Sequence, residues 1–216
     1  MELFSRTIAL LLILLLLPIF IFVIITLFLF QGLPIFYKQD RVGHNYSIFK
    51  IYKFRTMVNN SGDVITLQND SRITFLGKFL RKIKVDEIPQ LFNILKGEMR
   101  FIGPRPEVLS FFEKDKFTFL KKIKPGISDY SSILFRNEDQ ILKKIGGNNP
   151  YNILLPIKLS LAHFYTKKKS FMLDFKLVIV TILSIFVYNF TSKRLLLPYL
   201  KNNIPTLDNF VKKYKL

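Results

Sequence analysis

Two acidic side chains, Asp86 and Glu87, stand next to each other in a strongly basic chain. The protein has 33 Lys and Arg against 15 Asp and Glu, a formal net charge of +18. Adjacent like charges cost free energy unless a cation or a chemical task holds them there. On a helix the two side chains would point about 100° apart, so they cannot share a proton face to face. The pair therefore indicates separate roles, with one carboxylate as nucleophile or base and the other on a hard cation such as Mg²⁺.

A purely structural role for the same pair stays open. Helical spacing of apolar residues follows it, at Ile88, Leu91, Phe92 and Leu95. In this interpretation Asp86 is the N-cap, Pro89 lies in the first turn and Gly97 ends the helix. Both carboxylates would then interact favourably with the helix dipole. The pair taken alone favours this interpretation.

The run Gly103-Pro104-Arg105-Pro106 comes shortly after this predicted helix. Two prolines fix φ on either side of Arg105, so its guanidinium is presented from a stiff segment, as a bidentate phosphate clamp needs. A rigid turn with a solvated arginine is the alternative. Further basic residues that could line a cleft are Lys53, Arg55, Arg72 and Arg81. The absence of cysteine excludes disulfides, thiolate zinc sites and cysteine nucleophiles.

A long apolar segment lies near the start of the chain. Residues 8–30 contain no charged residue, and at about 1.5 Å per residue the run is long enough to cross the hydrocarbon core of a bilayer. Pro18 predicts a kink near its middle. Composition favours an ordinary transmembrane helix with a tolerated proline over a re-entrant hairpin. The basic residues that follow predict, by the positive-inside rule, that the next domain is cytoplasmic.

Residue periodicity predicts the remaining elements. Phe36–Val42 and Ile48–Phe54 carry the aromatic and β-branched residues of a β-hairpin. The apolar run 171–190 contains Asp174 and Lys176, which favours an interfacial or core helix over a second span. Three further segments have helical spacing and are predicted as helices: residues 72–84, 109–124 and 153–169.

Composite motifs follow one another along nearly the whole chain: YKQDRVG, FKIYKFRTM, NDSRITFLGKFLRK, VDEIPQLFNILKGEMRFIGPRPE, KPGIS and FRNE. In order and spacing they resemble the bacterial sugar transferase family, the small monotopic phosphoglycosyl transferases. Long composite motifs of this kind are far more specific than a single short motif. The segment KPGISDYSSILFRNE is similar to the branch of the family that acts on N-acetylated amino sugars.

The resemblance implies a reaction and a site. Members of the family transfer a sugar 1-phosphate from a UDP-sugar to undecaprenyl phosphate, release UMP and need Mg²⁺. Asp86 matches the nucleophile that forms a covalent phosphosugar intermediate, Glu87 matches a residue tied to the metal, and the Mg²⁺ site is expected at Glu87 and Asp86. The basic residues expected to bind the nucleotide and phosphates are Lys53, Arg81 and Arg105, with Arg136 of FRNE as a weaker match.

The resemblance also reverses the expected membrane topology. The membrane helix of the family is re-entrant and broken at a proline that matches Pro18, although the preceding residue, often Ser in the family, is Leu17 here. Residues 1–35 are therefore expected as a membrane-embedded helix-break-helix, and residues 36–216 as a catalytic domain on the cytoplasmic face of the bacterial inner membrane. The expected fold class is α+β and mainly helical, with a small β-hairpin and amphipathic interfacial helices.

The expected partners follow from the same interpretation. The basic surface suits anionic lipids, the reaction would bring downstream glycosyltransferases nearby, and nucleic acid is not expected.

Two competing hypotheses remain. A membrane-anchored nucleic-acid-binding or scaffold protein would explain the charge and the apolar segment, but neither Asp86-Glu87 nor the segment around Arg105. An inactive relative of the family, serving other glycan enzymes, would keep the motifs without the reaction.

Overall fold

The computed structural model describes residues 2–58 and 70–215, and α-helix dominates it. The helices, numbered in chain order, are α1 (Glu2–Leu15), α2 (Leu17–Gln31), α3 (Phe75–Lys82), α4 (Leu91–Lys96), α5 (Tyr130–Leu134), α6 (Glu138–Ile145), α7 (Pro150–Lys168), α8 (Phe171–Phe186), α9 (Leu197–Asn203) and α10 (Pro205–Tyr214). The strands are β1 (Phe36–Val42), β2 (Ile48–Phe54), β3 (Arg100–Ile102) and β4 (Gly126–Ser128). The predicted class, α+β and mainly helical, is confirmed.

The first two helices form a bent pair. α1 and α2 meet at Leu16 with a bend of 60°, and Pro18 lies in the first turn of α2. A proline there removes the hydrogen bond that would continue a straight helix. Within residues 2–58 and 70–215 no single helix has the length and composition to cross a membrane, whereas this pair taken together has both. The bend lies where the proline predicts a kink, and the topology in a bilayer stays a prediction.

Each helix of the pair buries one side against the rest of the chain. Ala9 and Ile13 of α1 pack in a cluster with Ile51 of β2 and Ile94 of α4. In α2, buried residues pack against the end of β2 and against α3, in a cluster made of Phe20, Val23, Leu27, Ile35, Phe54 and Leu80. Burial of such side chains stabilises by about 1.5–3 kcal/mol each. The pair is therefore fixed to the elements that carry the acidic residues.

The predicted β-hairpin is confirmed. β1 and β2 pair antiparallel, with Phe36 opposite Phe54 and Val42 opposite Ile48. A short 3₁₀ turn, His44–Tyr46, connects them. The register places Lys53 opposite Tyr37, one residue before the end of β2.

A second, smaller sheet joins β3 to β4 in parallel, with Arg100 opposite Gly126 and Ile102 opposite Ser128. The backbones come close at its end, where a Cβ on Gly126 would collide with backbone atoms of Gly103. Glycine is needed there because only a residue without a side chain allows that approach. The main core lies beside this sheet and centres on α7, a helix that the sequence predicts correctly.

Two helix predictions need correction. The segment predicted at 72–84 is helical only over α3, and the segment predicted at 109–124 is not an α-helix. It contains two 3₁₀ turns, Leu109–Phe111 and Thr118–Lys121. Phe117 and Phe119 are both buried although they are two residues apart, and their rings lie 5.7 Å apart. A continuous helix would turn one of them away from the core, so burial of both rings favours the irregular path.

The apolar segment at 171–190 is helical over α8. Its one acidic residue turns inward, since Asp174 accepts a hydrogen bond from Tyr165 at 2.5 Å and lies 4.0 Å from Arg100. Most other side chains of α8 are exposed and apolar. An apolar exposed face with the acidic residue turned inward agrees with the preference for an interfacial or core helix.

Candidate active site

One cleft of about 1330 Å³ gathers the polar residues that the sequence singles out. It lies between the β-hairpin, α3, the segment that follows α3, and α8. The wall includes apolar residues of the bent pair, Leu12 and Leu16, but not Pro18. The predicted site residues that line the cleft are Lys53, Arg81, Asp86, Glu87, Arg105 and Arg136.

Asp86 lies in the 3₁₀ helix Val85–Gln90, not at the start of an α-helix. Lys84 ahead of it has a left-handed backbone, with φ of 61°, which turns the chain after α3. The side chain of Asp86 is 6% exposed, makes no capping hydrogen bond, and its Oδ1 has no partner among residues 2–58 and 70–215. The predicted N-cap role is therefore wrong, whereas Gly97 ends α4 as predicted, with φ of 82°.

Glu87, its neighbour, lies between two cations. Oε1 accepts hydrogen bonds from Nζ of Lys53 at 2.9 Å and from Nη2 of Arg105 at 2.6 Å. Oε2 makes a longer contact, 3.4 Å, with Nη1 of Arg105. The two adjacent carboxylates thus have different surroundings, one unpartnered and one paired twice.

These surroundings move the two pKa values in opposite directions. Burial and the charge of Glu87 raise the pKa of Asp86. Burial alone would raise the pKa of Glu87 too, but Arg105 and Lys53 hold it well below its ordinary value. Pairs of titratable groups with pKa values pushed apart are a common mark of functional sites. Of the two carboxylates, Asp86 is the one with an oxygen that has no partner among residues 2–58 and 70–215.

The two cations are themselves held in place by the fold. Lys53 is fixed by β2, and burial lowers its pKa although Glu87 partly offsets this. Arg105 stands between two prolines, as the sequence predicts, and the charge of Glu87 raises its pKa. The stiff segment therefore presents its guanidinium into the cleft toward a carboxylate. A bound phosphate would meet the same guanidinium.

Other arginines of the cleft have partners of their own. Nε of Arg81 donates to Oγ1 of Thr56 at 2.9 Å. Arg136 donates to the carbonyl of Lys82 at 2.7 Å and to that of Ser184, at the ends of α3 and α8. Cations are favourable at helix C-termini. The geometry thus gives Arg136 a structural task beside the phosphate contact expected from the resemblance.

Arg55 ties the bent pair to the hairpin. Its guanidinium donates to the carbonyls of Leu33 at 3.0 Å and Gly32 at 2.7 Å, and also to the carbonyl of Gln31 at the end of α2. The side chain is buried, at 7% exposed. Because Arg55 is two residues from Lys53, the end of α2 is fixed relative to the acidic pair.

Sequence reasoning missed a group of polar residues in the same cleft, which we name the Tyr151 cluster: Glu107, Glu138, Tyr151 and Lys158. Tyr151 donates to Oε2 of Glu107 at 2.5 Å. Lys158 donates to the Tyr151 hydroxyl at 3.1 Å and to Oε2 of Glu138 at 2.9 Å. One signal was present, since residues seven apart share a face of a helix. Nothing local indicated that Glu107 and Glu138 would meet that face.

The described residues hold no group of three or more His, Cys, Asp or Glu that could bind a metal. Two carboxylate oxygens can still bind a cation: the unpartnered Oδ1 of Asp86 and the weakly bonded Oε2 of Glu87. Mg²⁺ is commonly held by one or two carboxylates, with substrate phosphates and water completing its shell. The donor set at Asp86 and Glu87 therefore fits Mg²⁺.

A family model described as bacterial sugar transferase matches residues 1–188 of the 216-residue chain. The chain belongs to the bacterial sugar transferase family. The match includes the acidic pair, the segment around Arg105, the bent pair and Arg136. The resemblance read from the sequence is thereby confirmed.

Curated relatives of this sugar transferase chain include enzymes named as undecaprenyl-phosphate sugar phosphotransferases. It is 40% identical over 109 residues to the UDP-N-acetylgalactosamine-undecaprenyl-phosphate N-acetylgalactosaminephosphotransferase of Aeromonas hydrophila, covering 47% of this chain and 26% of the relative. It is 39% identical over 127 residues to the undecaprenyl-phosphate galactose phosphotransferase of Salmonella typhimurium, covering 50% and 27%. The chain thus spans about a quarter of the length of these relatives. An uncharacterized sugar transferase of Bacillus subtilis is 33% identical over 159 residues, 72% of each chain.

Proposed function

We propose that this protein transfers a sugar 1-phosphate from a UDP-sugar to undecaprenyl phosphate and releases UMP. The donor we expect carries an N-acetylated amino sugar, and the reaction would begin the membrane assembly of a surface glycan. The observation that carries the proposal is the asymmetry of the acidic pair: Asp86 is buried and unpartnered, whereas Glu87 is bonded to Lys53 and Arg105. The family match and the names of the relatives support the same reaction class.

In the first step a carboxylate oxygen of Asp86 attacks the phosphorus that bears the sugar. The bond between that phosphorus and the bridging oxygen breaks, and UMP leaves with the electron pair. The sugar phosphate is then bonded to Asp86 as an acyl phosphate. The unpartnered oxygen suits this role because no hydrogen bond has to be broken before it attacks.

In the second step an oxygen of undecaprenyl phosphate attacks the same phosphorus. The bond to Asp86 breaks, the carboxylate is restored, and the lipid carries a diphosphate-linked sugar. Both steps bring two anions together, so fixed positive charge must offset the repulsion. Arg105, Lys53 and Arg81 supply that charge within the cleft.

Glu87 has a positioning role in this scheme. By accepting hydrogen bonds from both Lys53 and Arg105, it orients two cations toward the phosphate. Mg²⁺ at Asp86 and Glu87 would supply additional positive charge for the diphosphate when bound.

Exposed apolar surface supports a membrane-associated site. Phe75 and Phe79, one turn apart on α3, are 92% and 57% exposed. On α8 the exposed apolar residues include a helical stripe made of Phe175, Ile179, Ile182 and Phe186. Exposed stripes beside basic residues are typical of interfacial helices. Together with the bent pair, they suit a catalytic domain resting on the cytoplasmic face of the inner membrane.

The test is UMP release by purified protein incubated with undecaprenyl phosphate, Mg²⁺ and a panel of UDP-sugars. We expect release with one sugar and its loss in Asp86→Asn. The matched control is Asp40→Asn, a carboxylate on β1 that pairs with Lys50 at the surface, and it should leave turnover unchanged. A labelled sugar phosphate should become attached to the wild type but not to Asp86→Asn.

Two outcomes would overturn the proposal. Full turnover by Asp86→Asn would remove Asp86 as nucleophile. No UMP release with any sugar, together with salt-sensitive binding of DNA or RNA, would favour the nucleic-acid-binding hypothesis.

A further inference from the structure

The Tyr151 cluster is a second polar centre of the cleft that the two chemical steps do not use. Tyr151 is 5% exposed and Glu107 is 7% exposed. Buried ion pairs contribute little net stability, because desolvation offsets most of the attraction. Fold stability alone is therefore a weak reason for four polar side chains to line this cavity.

The cluster is held rigidly by several elements. Tyr151 and Lys158 lie two turns apart on α7, and Nζ of Lys158 lies 4.8 Å from the centre of the tyrosine ring. That ring also contacts Phe111, with 4.7 Å between ring centres. Glu107 also accepts a hydrogen bond from the backbone N–H of Val108 at 3.0 Å. Such fixed geometry is what recognition of a small polar ligand needs.

The cluster lies next to the expected phosphate contact. Glu107 follows two residues after Arg105, and Arg105, Glu107 and Lys158 also line one small cavity together. In a UDP-sugar the sugar is bonded directly to the phosphate that Asp86 would attack. With that phosphate on Arg105, the sugar ring would be one bond away and within reach of the cluster.

The cluster also has hydrogen-bonding capacity left for a ligand. An ammonium group has three N–H donors, and within residues 2–58 and 70–215 Lys158 uses two of them, on Tyr151 and Glu138. Glu138 lines the cleft with its side chain 33% exposed, and bonds Lys158 through Oε2. Lys158 thus offers a donor and Glu138 an acceptor, which together match sugar hydroxyl groups.

We propose that the Tyr151 cluster binds the sugar ring of the donor and determines which sugar phosphate is transferred. The proposal rests on the proposed function and deepens it. A buried polar site discriminates strongly between substrates, since an analogue lacking the matching group leaves a protein group unpaired. Glu138 and Lys158 contact the sugar, whereas Tyr151 and Glu107 position Lys158.

The experiment measures kcat/KM of UMP release for a panel of UDP-sugars, and the affinity for UDP, in Lys158→Met, Tyr151→Phe and Glu138→Gln. We expect the ratio of kcat/KM between the best and second-best sugar to fall about tenfold or more. The affinity for UDP, which lacks the sugar, should stay within about twofold of wild type. Glu138→Gln keeps the shape of a partly exposed side chain. It therefore still tests the proposal if the substitutions at the buried residues prevent folding.

The matched control is Tyr165→Phe. Tyr165 is a buried tyrosine on the same helix, donates to a carboxylate at the same distance of 2.5 Å, and lies outside the cleft lining. It should lower stability without changing the ratio between sugars. An unchanged ratio in all three cluster variants would overturn the proposal, and so would an equal loss of affinity for UDP.

The proposal and the proposed function can fail separately. If wild type turns over no UDP-sugar, calorimetric titration with UDP-sugars and with UDP still tests the cluster. A wild-type preference for one UDP-sugar over UDP, lost in Glu138→Gln, would support sugar binding without transfer. Equal affinities for UDP and every UDP-sugar would overturn it.

Discussion

Nη2 of Arg105 lies 2.6 Å from Oε1 of Glu87, although the two residues are 18 positions apart in the chain. The contact joins the stiff segment between two prolines to the acidic pair. It fixes the guanidinium on the residue next to Asp86 in the chain. The same guanidinium lines the cleft, where an anion could reach it.

We predict that Arg105→Lys lowers UMP release about 100-fold, because the planar fork that orients a phosphate is replaced by a single ammonium group. Arg100→Lys is the matched control, since Arg100 is similarly buried and also faces a carboxylate, Asp174, outside the cleft lining. Steady-state kinetics with the preferred UDP-sugar measures both. Equal losses in the two variants would show that the effect is on the fold.

Asp86→Asn should stabilise the fold while it abolishes turnover. The wild-type carboxylate is buried with an unpartnered oxygen, and a neutral amide there should raise the free energy of unfolding by about 1 kcal/mol. Asp129→Asn is the contrasting variant, because buried Asp129 accepts hydrogen bonds from Ser131 and Ser132. It should lower the free energy by about 2 kcal/mol. Chemical denaturation in detergent checks whether the two changes have opposite signs.

The pH dependence of turnover should report Asp86. Only the ionised carboxylate attacks phosphorus, and burial together with Glu87 raises the pKa of Asp86. As pH falls, kcat/KM should therefore decline at a pH above that of an ordinary aspartate. A decline of kcat/KM that begins only at or below the ordinary pKa of an aspartate would contradict this assignment.

The ion pairs of Glu87 should lose their contribution to the stability of the fold at a lower pH than the one at which turnover declines. Arg105 and Lys53 hold the pKa of Glu87 well below its ordinary value despite burial. A depressed pKa contributes stability above the unfolded-state value, and the contribution is lost as pH falls through the folded-state value. Unfolding of wild type and Glu87→Gln should therefore differ at neutral pH and converge in acid. A constant difference across that range would exclude the ionised pair as its cause.

Arg55→Met should lower the free energy of unfolding by about 3 kcal/mol, since three hydrogen bonds to the end of α2 are lost at about 1 kcal/mol each. Lys50→Met, on β2 and five residues before Arg55, is the control, because its side chain is 61% exposed and should change stability by no more than about 0.5 kcal/mol. Thermal unfolding in detergent measures both. A change equally small in Arg55→Met would contradict the structural role.

The re-entrant topology can be tested with single cysteines, because the chain has none. Leu3→Cys at the exposed start of α1 and Asp115→Cys in the catalytic part should both resist an impermeant thiol reagent in intact cells. Both should react after permeabilisation. Labelling of Leu3→Cys alone in intact cells would establish a spanning helix.

Local patterns predicted the parts of the fold that depend on local forces. The hairpin has its predicted bounds because β-branched and aromatic residues flank a turn sequence. Gly97 ends α4 because it alone readily adopts positive φ there. The segment at 109–124 was mispredicted because two of its aromatic rings are buried in the distant core, which overrides helical spacing.

The chemistry of the site was partly readable for a similar reason. Asp86, Glu87 and Arg105 stand in unusual local sequences, and the cleft gathers them. That Glu87 would bond Lys53, 34 positions away, has no local signal. Glu107 and Glu138 look like ordinary surface acids until α7 places Tyr151 and Lys158 against them.

The bend at Leu16 lies at the edge of the cleft. Leu12 and Leu16 form part of the wall of the cavity that holds Asp86 and its neighbouring cations. Apolar and charged surfaces therefore border a single space, at the level where the helix pair changes direction. An amphiphile can bind there with its charged head group among arginines and its hydrocarbon tail against leucines. In the proposed reaction the acceptor would need neither to leave its lipid layer nor to bring its tail into water.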